Sequence, residues 1–425
     1  MTEVRSVKKE RAIIVGCGLK SDPLMELKES LFELEELTFA AGAEVVGTTV
    51  QILPKYVPST LIGSGKVQEI KRLAEESEAT LVIVDHALTG GQLRNLEDIL
   101  KVKVLDRSQV ILDIFAQRAQ TYEGKLQVEL AQMLDQLPRM VGGWHGSLSR
   151  LGGGIGTRGP GETALEIDRR RIRERVEFIK KKLDSVRKHR GQHRAQRRNL
   201  KIPSFALIGY TNSGKSTLLN QLTKSDVFVK DQVFATLDPT TRQVHLPGVK
   251  QAVVTDTVGF IRNLPTHLIE AFKATLEESA EADVLIHVVD LNSPSMDRQM
   301  EVVKGLIEEF QWQEKPIITV FNKMDIAPFE KQMTVKEFPR VFISATQGKG
   351  VEKLKELMAK AIQDLLEKVD LYFPKDKEYK IYELGREAKI LRSEPGTMGT
   401  LCQAYLTETQ LSKWSEFIEG QEKKG

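Results

Sequence analysis

The stretch Gly209-Tyr210-Thr211-Asn212-Ser213-Gly214-Lys215-Ser216 constrains this chain more than any other. It fits G-x-x-x-x-G-K-S/T, a loop whose backbone N–H groups wrap phosphates. An apolar run, Phe205–Ile208, leads into it, and a helical pattern, Thr217–Leu222, follows. That order predicts a strand, a phosphate loop and a helix whose N-terminus adds favourable dipole. Lys215 is expected to reach the β- and γ-phosphates, and the Ser216 hydroxyl to ligate Mg²⁺.

A phosphate loop alone says only nucleoside triphosphate. Three more segments narrow it. Asp256-Thr257-Val258-Gly259 follows the apolar run Ala252–Val254 and reads as a metal-supporting aspartate plus a glycine whose N–H senses the γ-phosphate. Asn322-Lys323-Met324-Asp325 follows Ile317–Val320. A carboxylate there can accept from guanine N1–H and the 2-amino group, which adenine does not offer. Ser344-Ala345-Thr346 follows Val341–Ile343 and can back the base through its main chain. Each fragment alone reads equally as a polar loop after a strand. Four of them at successive strand ends point to a GTP site.

A chain of 425 residues is too long for one core and suggests about three domains. Lys and Arg number 62 against 59 Asp and Glu, a net charge of +3 that hides a basic block. Cys17 and Cys402 are far apart without metal-ligand spacing, which argues for a reducing compartment. Met1–Arg11 is charged and lacks the apolar segment of a signal peptide. Apolar runs such as Val284–Val289 are too short to span a bilayer. The expectation is a soluble, cytoplasmic, monomeric protein, with peripheral membrane association left open.

The predicted fold is a multidomain α/β chain. Residues 1–107 form an N-terminal α/β domain, 108–200 an antiparallel helical hairpin with a glycine-rich tip, 201–369 a G domain and 370–425 a small C-terminal α+β region. In the first, strands are expected at Ala12–Val15, Glu44–Val50, Leu81–Val84 and Val102–Leu105, with helices such as Leu24–Phe39 and Val67–Glu75 between. Gly63-Ser64-Gly65-Lys66 resembles a phosphate-loop fragment, but its spacing favours a helix start. Phe115, Ala119, Tyr122, Leu126, Leu130, Met133 and Leu137 form one heptad-like seam. Leu165, Ile172, Val176, Ile179, Leu183 and Val186 form a second, so two long helices should pair. The G domain should close with a helix over Val351–Val369. Phe373-Pro374 reads as a linker, Lys380–Leu384 and Leu401–Leu406 as strands, and Thr409–Ile418 as a helix.

Between Gly142 and Gly161 nine of twenty residues are glycine. Such a loop cannot build a core and loses much backbone entropy on ordering. A flexible linker is one explanation, but paired helices need only a few connecting residues. Trp144, Arg150 and Arg158, with His145, suit base stacking and phosphate contacts. From Asp168 to Lys201 there are fifteen Lys or Arg against four Asp or Glu. A solvated helix face mixes signs; this excess marks a phosphate-facing surface. Arg169, Arg170, Arg171, Arg194, Arg197 and Arg198 are the candidate RNA contacts.

Further segments carry a family resemblance: Asp85-His86-Ala87-Leu88-Thr89-Gly90, Val104-Leu105-Asp106-Arg107, Glu123–Leu130, Gly152–Glu162 and Phe234-Ala235-Thr236-Leu237-Asp238-Pro239-Thr240-Thr241-Arg242. With the nucleotide motifs, they make the chain similar to the HflX family of ribosome-associated GTPases, in the Obg–HflX superfamily. The resemblance covers nearly the whole chain. It implies that Phe234–Asp238 belong to switch I and that Thr236 closes on Mg²⁺ and the γ-phosphate; Thr240 and Thr241 are nearby alternatives. Catalysis would then rest on Lys215, Thr236 and Gly259. The resemblance also implies binding to the 50S subunit and its 23S rRNA, and splitting of stalled or idle 70S ribosomes, often under stress.

A Ras-like enzyme places a water-orienting glutamine after Gly259; here Phe260 stands there and can neither donate nor accept. Slow intrinsic hydrolysis, stimulated by a partner, is expected. Asn212 stands where potassium-activated GTPases carry asparagine, so K⁺ is a candidate cofactor beside Mg²⁺; an ordinary polar loop residue is the equal alternative. Two other classes fit these motifs: a ribosome-assembly or RNA-modification GTPase that does not split ribosomes, and a non-hydrolysing GTP-binding switch.

Overall fold

The computed structural model describes residues 9–140, 160–199, 202–223, 234, 240–262, 265, 268, 271, 281–406 and 408–418. Strand and helix first alternate: β1 (Arg11–Leu19), α1 (Leu24–Ala40), β2 (Glu44–Leu53), α2 (Ser64–Glu76), β3 (Leu81–Val84), α3 (Gly90–Leu100) and β4 (Lys103–Asp106). The strands form a parallel sheet in the order β2-β1-β3-β4. β1 is apolar on both faces because both are covered. Ala12 and Ile14 enter one core with Leu34 and Leu37; Ile13 and Val15 enter another with Ile70 and Leu96. The Gly63–Lys66 segment is a helix start: α2 begins at Ser64, the Gly63 N–H donates to Gln51, and Lys66 pairs with Glu69 at 2.8 Å.

The first heptad-like seam is not one helix but two, α4 (Arg107–Arg118) and α5 (Tyr122–Arg139). Local chemistry explains the break. Asp106 and Gln109 form a capping box that starts α4, Ala119 is extended, and Thr121 caps α5 through the Gly124 N–H. α4 therefore packs on α1, while α5 runs along α6 (Pro160–Asn199). Val176, Ile179 and Leu183 of the second seam are buried in the same core as Leu126 and Leu130.

The G region is a six-stranded sheet. Its elements are β5 (Ser204–Gly209), α7 (Lys215–Thr223), β6 (Thr240–Leu246), β7 (Val249–Asp256), β8 (Val284–Asp290), α8 (Met296–Glu309), β9 (Ile317–Asn322), α9 (Phe329–Thr334), β10 (Arg340–Phe342) and α10 (Val351–Asp364). Strand order is β10-β9-β8-β5-β7-β6, parallel except for β6 against β7.

Three expectations for the remainder are corrected. The helix from Val351 ends at Asp364, and β11 (Glu367–Pro374) follows. Leu371 and Phe373 alternate into the core at the strand period, so Phe373-Pro374 ends a strand and links nothing. Lys380–Leu384 lies in a helix, α11 (Tyr379–Glu387), because Ile381 and Leu384, three apart, face the core together. β12 (Lys389–Pro395) and β13 (Gly399–Leu406) complete an antiparallel sheet ordered β11-β13-β12. After them comes α12 (Glu408–Trp414), continued by a short 3₁₀ turn, Ser415–Phe417.

One core crosses the regions. Leu34, Ile111, Phe115, Leu126 and Ile179 cluster with Tyr210, Phe234, Val258 and Ile261. The segment after Asp256 is thus packed into the helical region as well as against the phosphate loop.

Candidate guanine nucleotide site

The four motifs lie at the carboxyl ends of β5, β7, β9 and β10, where open parallel sheets bind ligands. The two motif glycines have steric causes. Gly209 has φ +150°, and a Cβ there would lie 2.2 Å from the Val288 carbonyl. Gly214 has φ +90°, and its Cβ would lie 2.2 Å from Asn322 Nδ2. Gly259 sits over the phosphate loop: a Cβ would come within 2.8 Å of Thr211 Cα and 3.0 Å of Lys215 Nζ.

Lys215 is buried, and its ammonium donates to the carbonyls of Tyr210 at 2.7 Å and Gly209 at 3.1 Å. Burial pushes its pKa down to about 8, and the Asp256 charge opposes that. The Ser216 hydroxyl donates to Asp256 Oδ2 at 2.6 Å. Thr257 Oγ1 anchors the loop start by donating to Leu207 O at 2.6 Å. Phe260 is tied to the phosphate loop by its backbone: its N–H donates to Gly209 O at 3.0 Å, and its carbonyl accepts from Thr211 N–H at 2.8 Å. Its ring is buried among Ile208, Leu285, Val303 and Trp312.

Asn322 joins the base-side loops to the phosphate loop. Its Nδ2 donates to Ser213 O at 2.9 Å and its Oδ1 accepts from Ala345 N–H at 3.0 Å. Met324 N–H donates to Ile343 O at 3.0 Å. Asp325 accepts from Gln347 Nε2 at 3.4 Å, and the Ser344 and Thr346 hydroxyls lie 3.1 Å apart.

Several expected residues stand apart. The Tyr210 hydroxyl turns away from the cradle and donates to Glu33 on α1. The Phe234 ring meets Phe115 edge-on, centroids 4.6 Å apart. Asn212, at φ +58°, lines a cleft of about 500 Å³ with Lys9, Phe32 and Phe39. Ala235, Thr236, Leu237 and Asp238 lie outside the described residues. So do Trp144, Arg150 and Arg158, and the side chains of Arg194, Arg197 and Arg198. Arg169 donates to Met140 O at 3.3 Å, while the exposed Arg170 and Arg171 make loose pairs with Glu174 and Asp168 at 3.8 and 3.6 Å.

The sequence reading missed the contacts that dock α1 on the G region. Glu33 also pairs with Arg107, which reaches Asp85 at 3.0 Å. Arg262 N–H donates to the Tyr210 hydroxyl at 2.9 Å. Glu29 lies 3.4 Å from Arg262 and 3.0 Å from Arg298, and Glu26 also pairs with Arg298. The signal available was the acidic row Glu26, Glu29, Glu33, spaced three and four apart on one helix face. Asp290, 2.8 Å from Lys323, was missed as well.

Comparison with known proteins agrees with this geometry. The family described as "GTP-binding GTPase N-terminal" matches residues 28–116, and "GTP-binding GTPase Middle Region" matches 118–197. The family described as "50S ribosome-binding GTPase" matches 204–323. GTPase HflX of Caldanaerobacter subterraneus is 46% identical over 94% of this chain and 91% of its own length. Those of Lacrimispora saccharolytica and Escherichia coli are 46% and 40% identical, over 96% and 92% of this chain and of theirs. The chain belongs to the HflX family of GTPases. As an HflX protein it hydrolyses GTP to GDP and phosphate. Among its described residues no helix is long and apolar enough to cross a membrane.

Proposed function

We propose that this HflX GTPase works on the large ribosomal subunit, contacting 23S rRNA through α6 and the 142–161 tip, and splits stalled or idle 70S ribosomes in the stressed cytoplasm. The observation that carries this reading is the shared core. Val258 and Ile261, flanking Gly259, belong to the same buried cluster as Leu126 of α5 and Ile179 of α6. A nucleotide-driven change at 256–262 would reach the basic helix through that shared core, by way of the α1, α4 and α5 residues in it.

The residues present suit phosphoryl transfer by positioning and charge. Residues 209–216 cradle the phosphates and Lys215 neutralises them. Ser216 and Asp256 set two hard oxygen donors side by side at the start of α7, which fits Mg²⁺. A metal held there would supply positive charge beside the phosphates and offset the charge that develops in the transfer. Thr236 would join Ser216 on it, and Asp256 would support it through water. Asn212 is the proposed K⁺ contact. Asp325 would read guanine, with Asn322, Lys323, Met324, Ser344, Ala345 and Thr346 shaping its pocket. Phe260 offers the water nothing, so hydrolysis would be slow alone and faster on the 50S subunit.

The test is GTP turnover with and without 50S subunits, with gradient analysis of added 70S ribosomes, in KCl and in NaCl. Stimulation together with conversion of 70S to 30S and 50S is expected. Stimulation without splitting would move the assignment to assembly or RNA modification, and turnover absent even with 50S to a non-hydrolysing switch. Equal rates in the two salts would remove K⁺.

A further inference from the structure

Lys323 holds its backbone in the left-handed region, at φ +63°. A side chain with a Cβ stays there only where its surroundings hold it. The Lys323 carbonyl accepts from the N–H groups of Ile326 and Ala327 at 3.2 and 3.1 Å, and its side chain is held from the neighbouring strand. Asp290 ends β8 in register with Asn322, and its Oδ2 lies 2.8 Å from Lys323 Nζ. Its Oδ1 accepts from Asn292 N–H at 2.9 Å, and Leu291 N–H donates to Asn322 O at 3.0 Å. The pair is largely withdrawn from water, with 17% of the Asp290 side chain exposed and 25% of that of Lys323. Directly after this turn the chain is pinned again by Met324 N–H on Ile343 O, and Asp325 follows. The turn at Lys323 is thus the last backbone turn before Asp325, whose carboxylate also accepts from Gln347 Nε2 at 3.4 Å.

We propose that Asp290 is a positioning residue for guanine recognition: through its charge on Lys323 it fixes the turn that presents Asp325 to the base. This rests on reading residues 322–325 as the guanine loop. Asp290 touches neither base nor phosphate in this role. Its second oxygen, capping Asn292, is a separate structural duty that an asparagine could keep.

The experiment measures equilibrium affinity of the full chain for GDP and for IDP, which lacks the 2-amino group. Asp290→Asn keeps an acceptor for Asn292 and removes the charge facing Lys323. It should weaken GDP about tenfold, equivalent to about 1.4 kcal/mol, and weaken IDP less, so that the preference for GDP falls. Lys323→Met should do the same, the double variant should be no worse than Lys323→Met alone, and Asp290→Glu should recover part of the loss. Full additivity, equal weakening of GDP and IDP, or unchanged affinity would overturn the proposal. Should Asp290→Asn fail to fold, Lys323→Met still decides, since an unchanged GDP-to-IDP ratio in it refutes the mechanism. Asp325→Asn separates the two levels. If it does not shift preference from guanine towards xanthine, the loop reading fails; if it does while Asp290→Asn is silent, only the role of Asp290 fails.

Discussion

The Tyr210 hydroxyl donates a hydrogen bond to the Glu33 carboxylate, joining the second residue of the phosphate loop to α1. Burial first, and the Glu33 charge second, raise the Tyr210 pKa, so the phenol stays protonated and donating. Glu33 also faces the buried Arg107. Burial alone would lower the Arg107 pKa, but the charges of Glu33 and Asp85 more than offset it. Tyr210→Phe removes one neutral hydroxyl, donor to Glu33 and acceptor from Arg262 N–H, and leaves the ion pair, at a cost of about 1–3 kcal/mol. Glu33→Ala leaves a buried guanidinium short of a carboxylate, which costs about 3–5 kcal/mol. Thermal unfolding should rank them in that order; equal midpoints would deny that Glu33 bridges the two regions.

The second contact between α1 and the G region is ionic and part-exposed. Hydrogen bonding to Glu29 foremost raises the Arg298 pKa. Single pairs of this exposure contribute about 0–1 kcal/mol, but Glu29 serves both Arg262 and Arg298. Glu29→Lys turns two attractions into two repulsions. Amide hydrogen exchange at 258–262 should speed up in that variant. Raising salt to about 1 M, where screening acts over about 3 Å, should move the unaltered protein the same way. Exchange indifferent to both changes would mean that the shared apolar core alone docks α1.

Much of this was legible in the sequence, for a physical reason. β5 and β9 are apolar runs that stop at, or one residue before, a positive-φ residue, Gly209 and Lys323, and the phosphate-loop glycines announce themselves. Errors fell where one local pattern fits two periods. Lys380–Leu384 mixes aromatic, β-branched and charged residues, and only the shared burial of Ile381 and Leu384 selects the helix. The break between α4 and α5 rests on the Thr121 cap, a single hydroxyl inside a continuous apolar seam. Glu33, Arg262 and Asp290 were invisible as partners because the residues they meet are distant in sequence; Glu33 and Tyr210 are 177 positions apart.

Lys215 gives a pH prediction. Its folded pKa, about 8, lies below the 10.5 of the free side chain. Below pH 8 both states carry the charge, and the full burial penalty, about 3 kcal/mol, is present. Between pH 8 and 10.5 the unfolded chain binds more protons, so stability rises with pH. Lys215→Met should therefore stabilise the nucleotide-free protein at pH 7 while abolishing GTP binding. Urea midpoints should show that gain shrinking by pH 9.5; a gain independent of pH would mean that packing, not charge, causes it.

His287 on β8 titrates at the other end. Burial first, then the charges of Lys304 and Lys215, lower its pKa to about 4 from 6.5. The unfolded chain takes up a proton near pH 6.5 and the folded one resists until about 4, so stability is lost as pH falls through that window. His287→Gln should flatten the acid limb of the stability profile between pH 6.5 and 4. An unchanged limb would assign acid sensitivity to other groups.

Phe260 occupies the position where a water-orienting glutamine would be sought, yet its ring is core. Ile208, Leu285, Val303 and Trp312 surround it, while its backbone N–H and carbonyl are committed to Gly209 and Thr211. Phe260→Gln would have to bury an amide or pull it out and leave a cavity, and truncating a buried Phe costs about 3–5 kcal/mol. The variant should unfold at lower temperature and hydrolyse GTP no faster than the unaltered protein, because the 256–262 segment loosens from the phosphate loop. Single-turnover hydrolysis measured beside thermal unfolding checks this. A faster intrinsic rate at unchanged stability would mean that residue 260 can reach the reacting water, and that the packing of Phe260 does not limit the basal rate.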